Sequence, residues 1–321
     1  MGLKRNLAIL VVTMLLLAFG AEAFLRVLAA RDRKLIRANM DARELCTERS
    51  PDRRLIYTYT PGKCGANSHG YRDVEHAFEK PAGVFRLVLI GDSVAEGRDV
   101  DADSSFGRVL ERELNARHDG RYEVILLARL GYSTSQEMVL LEEEAFRYQP
   151  DLVVWSYCLN DPAHPVYHNA NGDLGRYYYH PRSHLIALAQ AAAFRAKQKW
   201  RRRNCPNEFH AFVHCAFWPE VEANLARIGD DCRRERVPLV FVIHPIFEKD
   251  AAFENYSLRN VHAQLADAAR AQGFDVVDLR DAFQEYPAAA LKLDNPRYYD
   301  PWHMSALGHR VTAATLAPHI P

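Results

Sequence analysis

The sequence predicts a three-layer α/β/α sandwich on a parallel five-stranded sheet, carried behind one N-terminal transmembrane helix. Three observations predict it. Residues 84–90 form a near-continuous apolar run, broken only by Arg86, which is how a strand covered on both faces reads. From there to the C-terminus, apolar runs of strand length alternate with stretches of helical spacing, the pattern of successive βαβ units. Residues 7–20 carry no charge and follow directly on Lys4 and Arg5.

At the N-terminus, basic residues, an apolar stretch and Ala21-Glu22-Ala23 fit a cleavable signal peptide. If Glu22 is tolerated at the interface, the span reaches Leu25, about 19 residues and enough to cross a bilayer. Arg26, Arg31, Arg33 and Lys34 follow, which blurs the positive-inside argument. An uncleaved signal anchor over residues 1–28 is the favoured reading, with the globular part membrane-anchored and extracytoplasmic; secretion after cleavage is the alternative. Both imply export. Residues 29–82 are polar, too poor in apolar side chains for a core, and read as a stalk leaning on a main domain of residues 83–321.

Within the main domain, strands are expected at 84–90, 122–127, 151–157, 239–243 and 274–279. Helices are expected at 105–117, 134–148, 183–200, 219–236, 256–272 and from about Ser305 to 316, with polar caps at several starts and Gly273 as a stop. The stretch 162–216 is too long for a simple connection and reads as an insertion that lines or covers a site.

Lys+Arg and Asp+Glu balance at 41 each, so nothing suggests a nucleic-acid partner. Of six cysteines none forms a Cys-x-x-Cys pair, which argues against a zinc ribbon. In an exported chain Cys46 can pair with Cys64 and Cys205 with Cys215, while Cys158, beside a strand, reads as a small buried hydrophobe.

Chemistry-bearing residues fall at strand ends, where open α/β sheets place ligands. Gly91-Asp92-Ser93 ends the first strand and leaves a hydroxyl there, with Asp92 bracing the turn. Gly131 follows the second strand and Asn160-Asp161 the third. Asp300-Pro301-Trp302-His303 precedes the last helix; an i, i+3 pair around one turn can bring a carboxylate to an imidazole N–H and leave the other ring nitrogen facing a neighbouring loop. Each piece alone has a plain structural use as a turn or a cap.

Together, the four blocks resemble, in order, those of the SGNH hydrolase family, the GDSL-like esterases and lipases. The resemblance runs from about residue 84 to the C-terminus and implies a flavodoxin-like sheet order of 2-1-3-4-5. It implies Ser93 as nucleophile, His303 as general base and then acid, and Asp300 as its orienter. It implies an oxyanion hole from the Ser93 and Gly131 backbone N–H groups and the Asn160 side chain, with no metal or organic cofactor. Cys158 stands where the third block usually has glycine, Val94 replaces leucine, and the insertion has no counterpart in the minimal fold.

The function this implies is a serine esterase cleaving O-acyl esters, acetyl esters among them, of a carbohydrate or lipid through an acyl-enzyme. Two alternatives use the same fold: an O-acyltransferase on an envelope polysaccharide, and a non-catalytic envelope scaffold or glycan-binding protein, against which the intact Ser93, Asn160, Asp300 and His303 set argues. Other candidates read more blandly. His244 reads as a turn residue held by Pro245. His164, His168 and His180, with Tyr167, Tyr177, Tyr178 and Tyr179, read as packing or as aromatics offered to a sugar or acyl chain. The basic run 197–203 reads as a solvated helix end.

Overall fold

The computed structural model describes residues 2–118, 121–167, 173–249, 253–295 and 299–321. The N-terminal run forms one helix, α1 (Gly2–Asn39), long and apolar enough to cross a membrane. It does not stop near residue 28: residues 29–39, expected as the start of a stalk, are its last turns. Their polar sequence hid this, because the insertion supplies their partners. Asp32 lies 2.8 Å from Arg176, and Arg37 donates to the Tyr177 hydroxyl at 3.1 Å.

Next, β1 (Thr47–Arg49) and β2 (Tyr57–Tyr59) pair antiparallel, Thr47 opposite Tyr59, and a Cys46–Cys64 disulfide closes the segment. Tyr57 and Tyr59 are buried in the main core. The Tyr57 hydroxyl donates to Leu130 O at 2.8 Å and that of Tyr59 to Glu96 at 2.9 Å.

The main domain opens with β3 (Val84–Gly91), α2 (Ser93–Glu96), α3 (Phe106–Arg117), β4 (Arg121–Ala128), α4 (Thr134–Glu143) and β5 (Leu152–Cys158). The insertion carries α5 (Asp173–Tyr178) and α6 (His184–Arg201) and runs into α7 (Phe209–Glu235). The chain ends with β6 (Leu239–His244), α8 (Arg259–Ala271), β7 (Asp275–Asp278), α9 (Arg280–Phe283), α10 (Ala288–Leu291) and α11 (Ala306–Leu316). The sheet is parallel throughout in the order β4-β3-β5-β6-β7, the 2-1-3-4-5 winding expected. Helices α3 and α11 pack together on one face, and α4, α7 and α8 form the layer on the other.

Two helices depart from expectation. The helix expected from Pro219 begins at Phe209 and runs through that proline. Proline removes one backbone donor, but the preceding turns are held by buried His210, Phe212, Val213, His214 and Phe217 and by a Cys205–Cys215 disulfide. Helix α8 starts at Arg259 rather than 256, because the Tyr256 hydroxyl is engaged outside it by Ile246 N–H at 2.9 Å.

Arg86, the one break in the first apolar run, is fully buried. Its Nε donates to Glu123 at 2.8 Å, and its Nη1 to Tyr148 O at 2.7 Å and Phe78 O at 3.1 Å, which satisfies a charge inside the sheet layer.

Three histidines are buried neutral: burial pushes His214, His244 and His309 each down to about 3. For a base with a depressed folded pKa, the unfolded chain takes the proton first as pH falls, so each site opposes folding below about pH 6.5. Replacing His244 with Gln should therefore gain on the wild type by about 1.4 kcal/mol per pH unit below that point. Urea denaturation of both proteins at pH 7, 6 and 5 measures this; a difference that does not change with pH contradicts it.

Candidate active site

Strand register brings the expected residues to one edge. Gly91 pairs with Ala128 on one side and Ser156 on the other, so the segments bearing Ser93, Gly131 and Asn160 leave the sheet at one level. Gly91 has to be glycine: a Cβ there would sit 2.7 Å from Ala95 Cβ and 2.9 Å from Ser156 O. The chain can then turn at once into α2, with Ser93 as its first residue, where a backbone N–H has no partner within the helix. Asp92 is the N-cap, its carboxylate accepting from Val94 N–H at 2.8 Å. Its other oxygen lies 3.5 Å from Asn160 Nδ2, so one buried carboxylate touches both the serine turn and the asparagine. Burial pushes the Asp92 carboxyl up, against the pull of the Val94 N–H and of His303.

After β4, Gly131 takes a left-handed turn with φ 68°. Arg129, two residues before it, donates to Gly70 O at 3.2 Å, and the Tyr132 hydroxyl donates to Tyr57 O at 2.6 Å. The segment after α1 thus braces this turn from outside. After β5, Asp161 closes a tight turn: its backbone N–H donates to Cys158 O at 3.0 Å and its carboxylate accepts from Cys158 N–H at 2.8 Å. Cys158 is the last residue of the strand, fully buried, its thiol pushed well up by burial, so the side chain is accommodated within the sheet layer.

The last block completes the group. Asp300 Oδ2 lies 2.7 Å from His303 Nδ1, while its Oδ1 accepts from the Trp302 and His303 backbone N–H groups at 3.0 and 3.1 Å. Burial raises the Asp300 carboxyl, but the His303 ring and these N–H groups outweigh it and hold it below the usual carboxylate range. His303 Nε2 is 2.8 Å from Ser93 Oγ. With Nδ1–H given to Asp300, Nε2 is the acceptor for the serine hydroxyl. A carboxylate, an imidazole and a hydroxyl in this chain can move a proton off the hydroxyl as it attacks.

This is the arrangement that serine nucleophiles use, and residues 89–311 match the model of the GDSL-like lipase/acylhydrolase family. The chain belongs to that family. It is a carboxylic ester hydrolase. Solved structures of similar fold include Axe2, an acetylxylan esterase from Geobacillus stearothermophilus, with 18% identity, 74% of this chain and 94% of that one covered, and TM-score 0.49. Another is the lipase/acylhydrolase from Enterococcus faecalis, with 17% identity, coverage of 74% and 95%, and TM-score 0.46. No curated protein matches the sequence.

For this GDSL-like hydrolase the remaining candidates sort by contact. His244 ends β6, buried, with Nε2 2.9 Å from Ser156 Oγ, so it belongs to the sheet rather than to a turn. Tyr178 donates to Thr47 O at 2.6 Å and Tyr177 meets Arg37, so both tie the insertion to the N-terminal segments. His164 stacks on Tyr167 at 4.6 Å and lines a cavity of about 260 Å³ with Asp161, Pro162, Phe194 and Phe217, next in the chain to Asn160. His168 lies outside the described residues.

One group was not foreseen. Trp302, between Asp300 and His303, donates its Nε1–H to His210 Nε2 at 3.0 Å, and His210 Nδ1 lies 2.8 Å from Glu208. Burial works against the Glu208 charge, yet His210 and the Ala211 N–H hold its pKa down to about 2. The loop that carries the imidazole is thereby braced by α7. Its sequence signal was a lone His and Glu in an irregular stretch, which spacing does not pick out.

Proposed function

We propose that the chain is a serine esterase that removes O-acyl groups from a carbohydrate or lipid through a covalent acyl-enzyme, held at the outer face of a membrane by α1. The hydrogen-bonded chain from Asp300 through His303 to Ser93 carries the proposal. Ser93 Oγ attacks the ester carbonyl as its proton passes to His303 Nε2. The oxyanion that forms takes donors from Ser93 N–H, from Gly131 N–H by its place in the second block, and from Asn160 Nδ2, each worth about 3 kcal/mol of barrier in such holes. Collapse breaks the ester C–O bond, and the alcohol leaves with the His303 proton. Water, deprotonated by His303, then releases the acid and restores Ser93.

Asn160 is suited to its role by its neighbours: Asp92 approaches its Nδ2, and the Cys158–Asp161 turn fixes its backbone. The cavity lined by Pro162, Phe194 and Phe217 supports a short acyl group or the apolar face of an alcohol. The anchor at residues 1–28 and the hydrolase domain at 83–321 are the organisation we propose, with residues 40–82 leaning on that domain as a buttress of the active-site loops.

A fluorophosphonate probe tests the mechanism directly. It should label Ser93 in the wild type, identified by peptide mass, and label His303→Ala much more slowly. Labelling that survives Ser93→Ala at the same rate rejects the assignment.

A further inference from the structure

Glu22 sits at the end of the apolar run of α1, where an unpaired carboxylate is costly. It is fully engaged: it accepts from the His184 and Leu185 backbone N–H groups, each at 3.0 Å, and from Ser183 Oγ at 3.1 Å, and pairs with Arg26 at 2.8 Å. Arg26 also donates to Arg182 O at 3.1 Å. The first turn of α6 is therefore pinned to one level of α1. A second tie, Arg176 to Asp32 at 2.8 Å, holds the two parts together further along.

Between the ties lies a cleft of about 740 Å³. Leu25, Leu28 and Ala29 of α1 and Leu188 and Ala191 of α6 give it an apolar wall, and Arg33 and Arg195 reach it from the two helices. Leu28 and Leu188 are 41% and 49% exposed, so the wall is open. It continues the bare apolar surface formed lower on α1 by Leu17, Phe19 and Phe24. Asp32, which also lines the cleft, is taken by Arg176.

The levels match a leaflet. A hydrocarbon core of about 30 Å, counted from Leu7 at about 1.5 Å per residue, ends near residue 27, so Glu22 lies just inside its edge, where its pairing with Arg26 and its donors on α6 make it tolerable. That places Leu25 and Leu28 at the edge of the acyl chains and Arg33 within reach of the phosphate layer. An apolar wall below two arginines suits an amphiphile with an anionic head.

We propose that this cleft binds one anionic phospholipid of the leaflet that α1 leaves, its acyl chain along Leu25, Leu28 and Leu188 and its phosphate at Arg33 and Arg195. The proposal rests on the reading of α1 as an uncleaved anchor and is independent of the esterase mechanism. It also gives a use to the basic residues that follow the apolar run on the exported side.

The test uses the full chain in nanodiscs of mixed phosphatidylglycerol and phosphatidylcholine, released into native mass spectrometry. The wild type should keep one phosphatidylglycerol in preference to phosphatidylcholine, and Arg33→Glu/Arg195→Glu should lose that retention about tenfold or more. Leu188→Gln, at an exposed position, should weaken retention of both lipids. Hydrolysis of a small soluble ester should be unchanged in all three proteins, which reports intact folding. Equal retention of the two lipids, retention unaltered by the charge reversal, or displacement by inorganic phosphate alone each overturns the proposal. An intact mass lacking α1 overturns the anchor reading and the cleft with it, while leaving the esterase assignment standing.

Discussion

Ser93→Ala should lower kcat for p-nitrophenyl acetate by about 10⁵–10⁶, and Asp300→Asn by about 10⁴, with little change in KM. The serine loss removes the bond-forming atom. The aspartate loss acts through the imidazole: Asp300 Oδ2, 2.7 Å from Nδ1, fixes the tautomer that leaves Nε2 free to take the Ser93 proton. An asparagine there can present its NH₂ to Nδ1 and favour the opposite tautomer, with Nε2–H facing Ser93. Because the three groups act as a unit, the double variant should be no slower than Ser93→Ala alone. Steady-state kinetics on detergent-solubilised full chain, with melting temperatures alongside, decide the matter. An Asp300→Asn enzyme within tenfold of the wild type removes Asp300 from the mechanism.

Arg86→Ala should cost about 3–5 kcal/mol of stability, the usual price of breaking one side of a buried ion pair. Glu123 would keep His76 at 3.0 Å but lose the guanidinium, and the Tyr148 and Phe78 carbonyls would lose their donor. Arg86→Lys should recover little, since one ammonium cannot reach along three directions as the guanidinium does. A fall of roughly 10 °C in melting temperature is expected for a domain of this size. A change below roughly 2 °C by calorimetry contradicts the structural weight given to Arg86.

How legible these features were differs by the range of the interactions behind them. The strands and their order could be read because a doubly covered strand is apolar along its length, and the blocks at their ends stand out against it. Ser93, Gly131, Asn160, Asp300 and His303 were therefore nameable. The end of α1 was not, because the apolar run stops before residues 29–39, whose contacts with Arg176 and Tyr177 come from far along the chain. The start of α7 was hidden by Pro219, whose local cost is outweighed by packing around Phe212 and Phe217. Arg86 read as an interruption, since its acceptors lie on β4 and on the segments around Phe78 and Tyr148. The brace from Glu208 through His210 to Trp302 was invisible for the same reason: a long-range pair leaves no period in a sequence.

The hydrogen bond between His303 and Ser93 joins residues 210 apart in the chain. Nucleophile and base are thus brought together by a contact that spans most of the domain and cannot form until its C-terminal loop is in place. A chain made N-terminus first has Ser93 early, yet that serine has no base until the loop before α11 has docked. Hydrolytic activity is then a gauge of completed folding: a chain with α11 peeled away should hold its nucleophile silent while much of its sheet is already built.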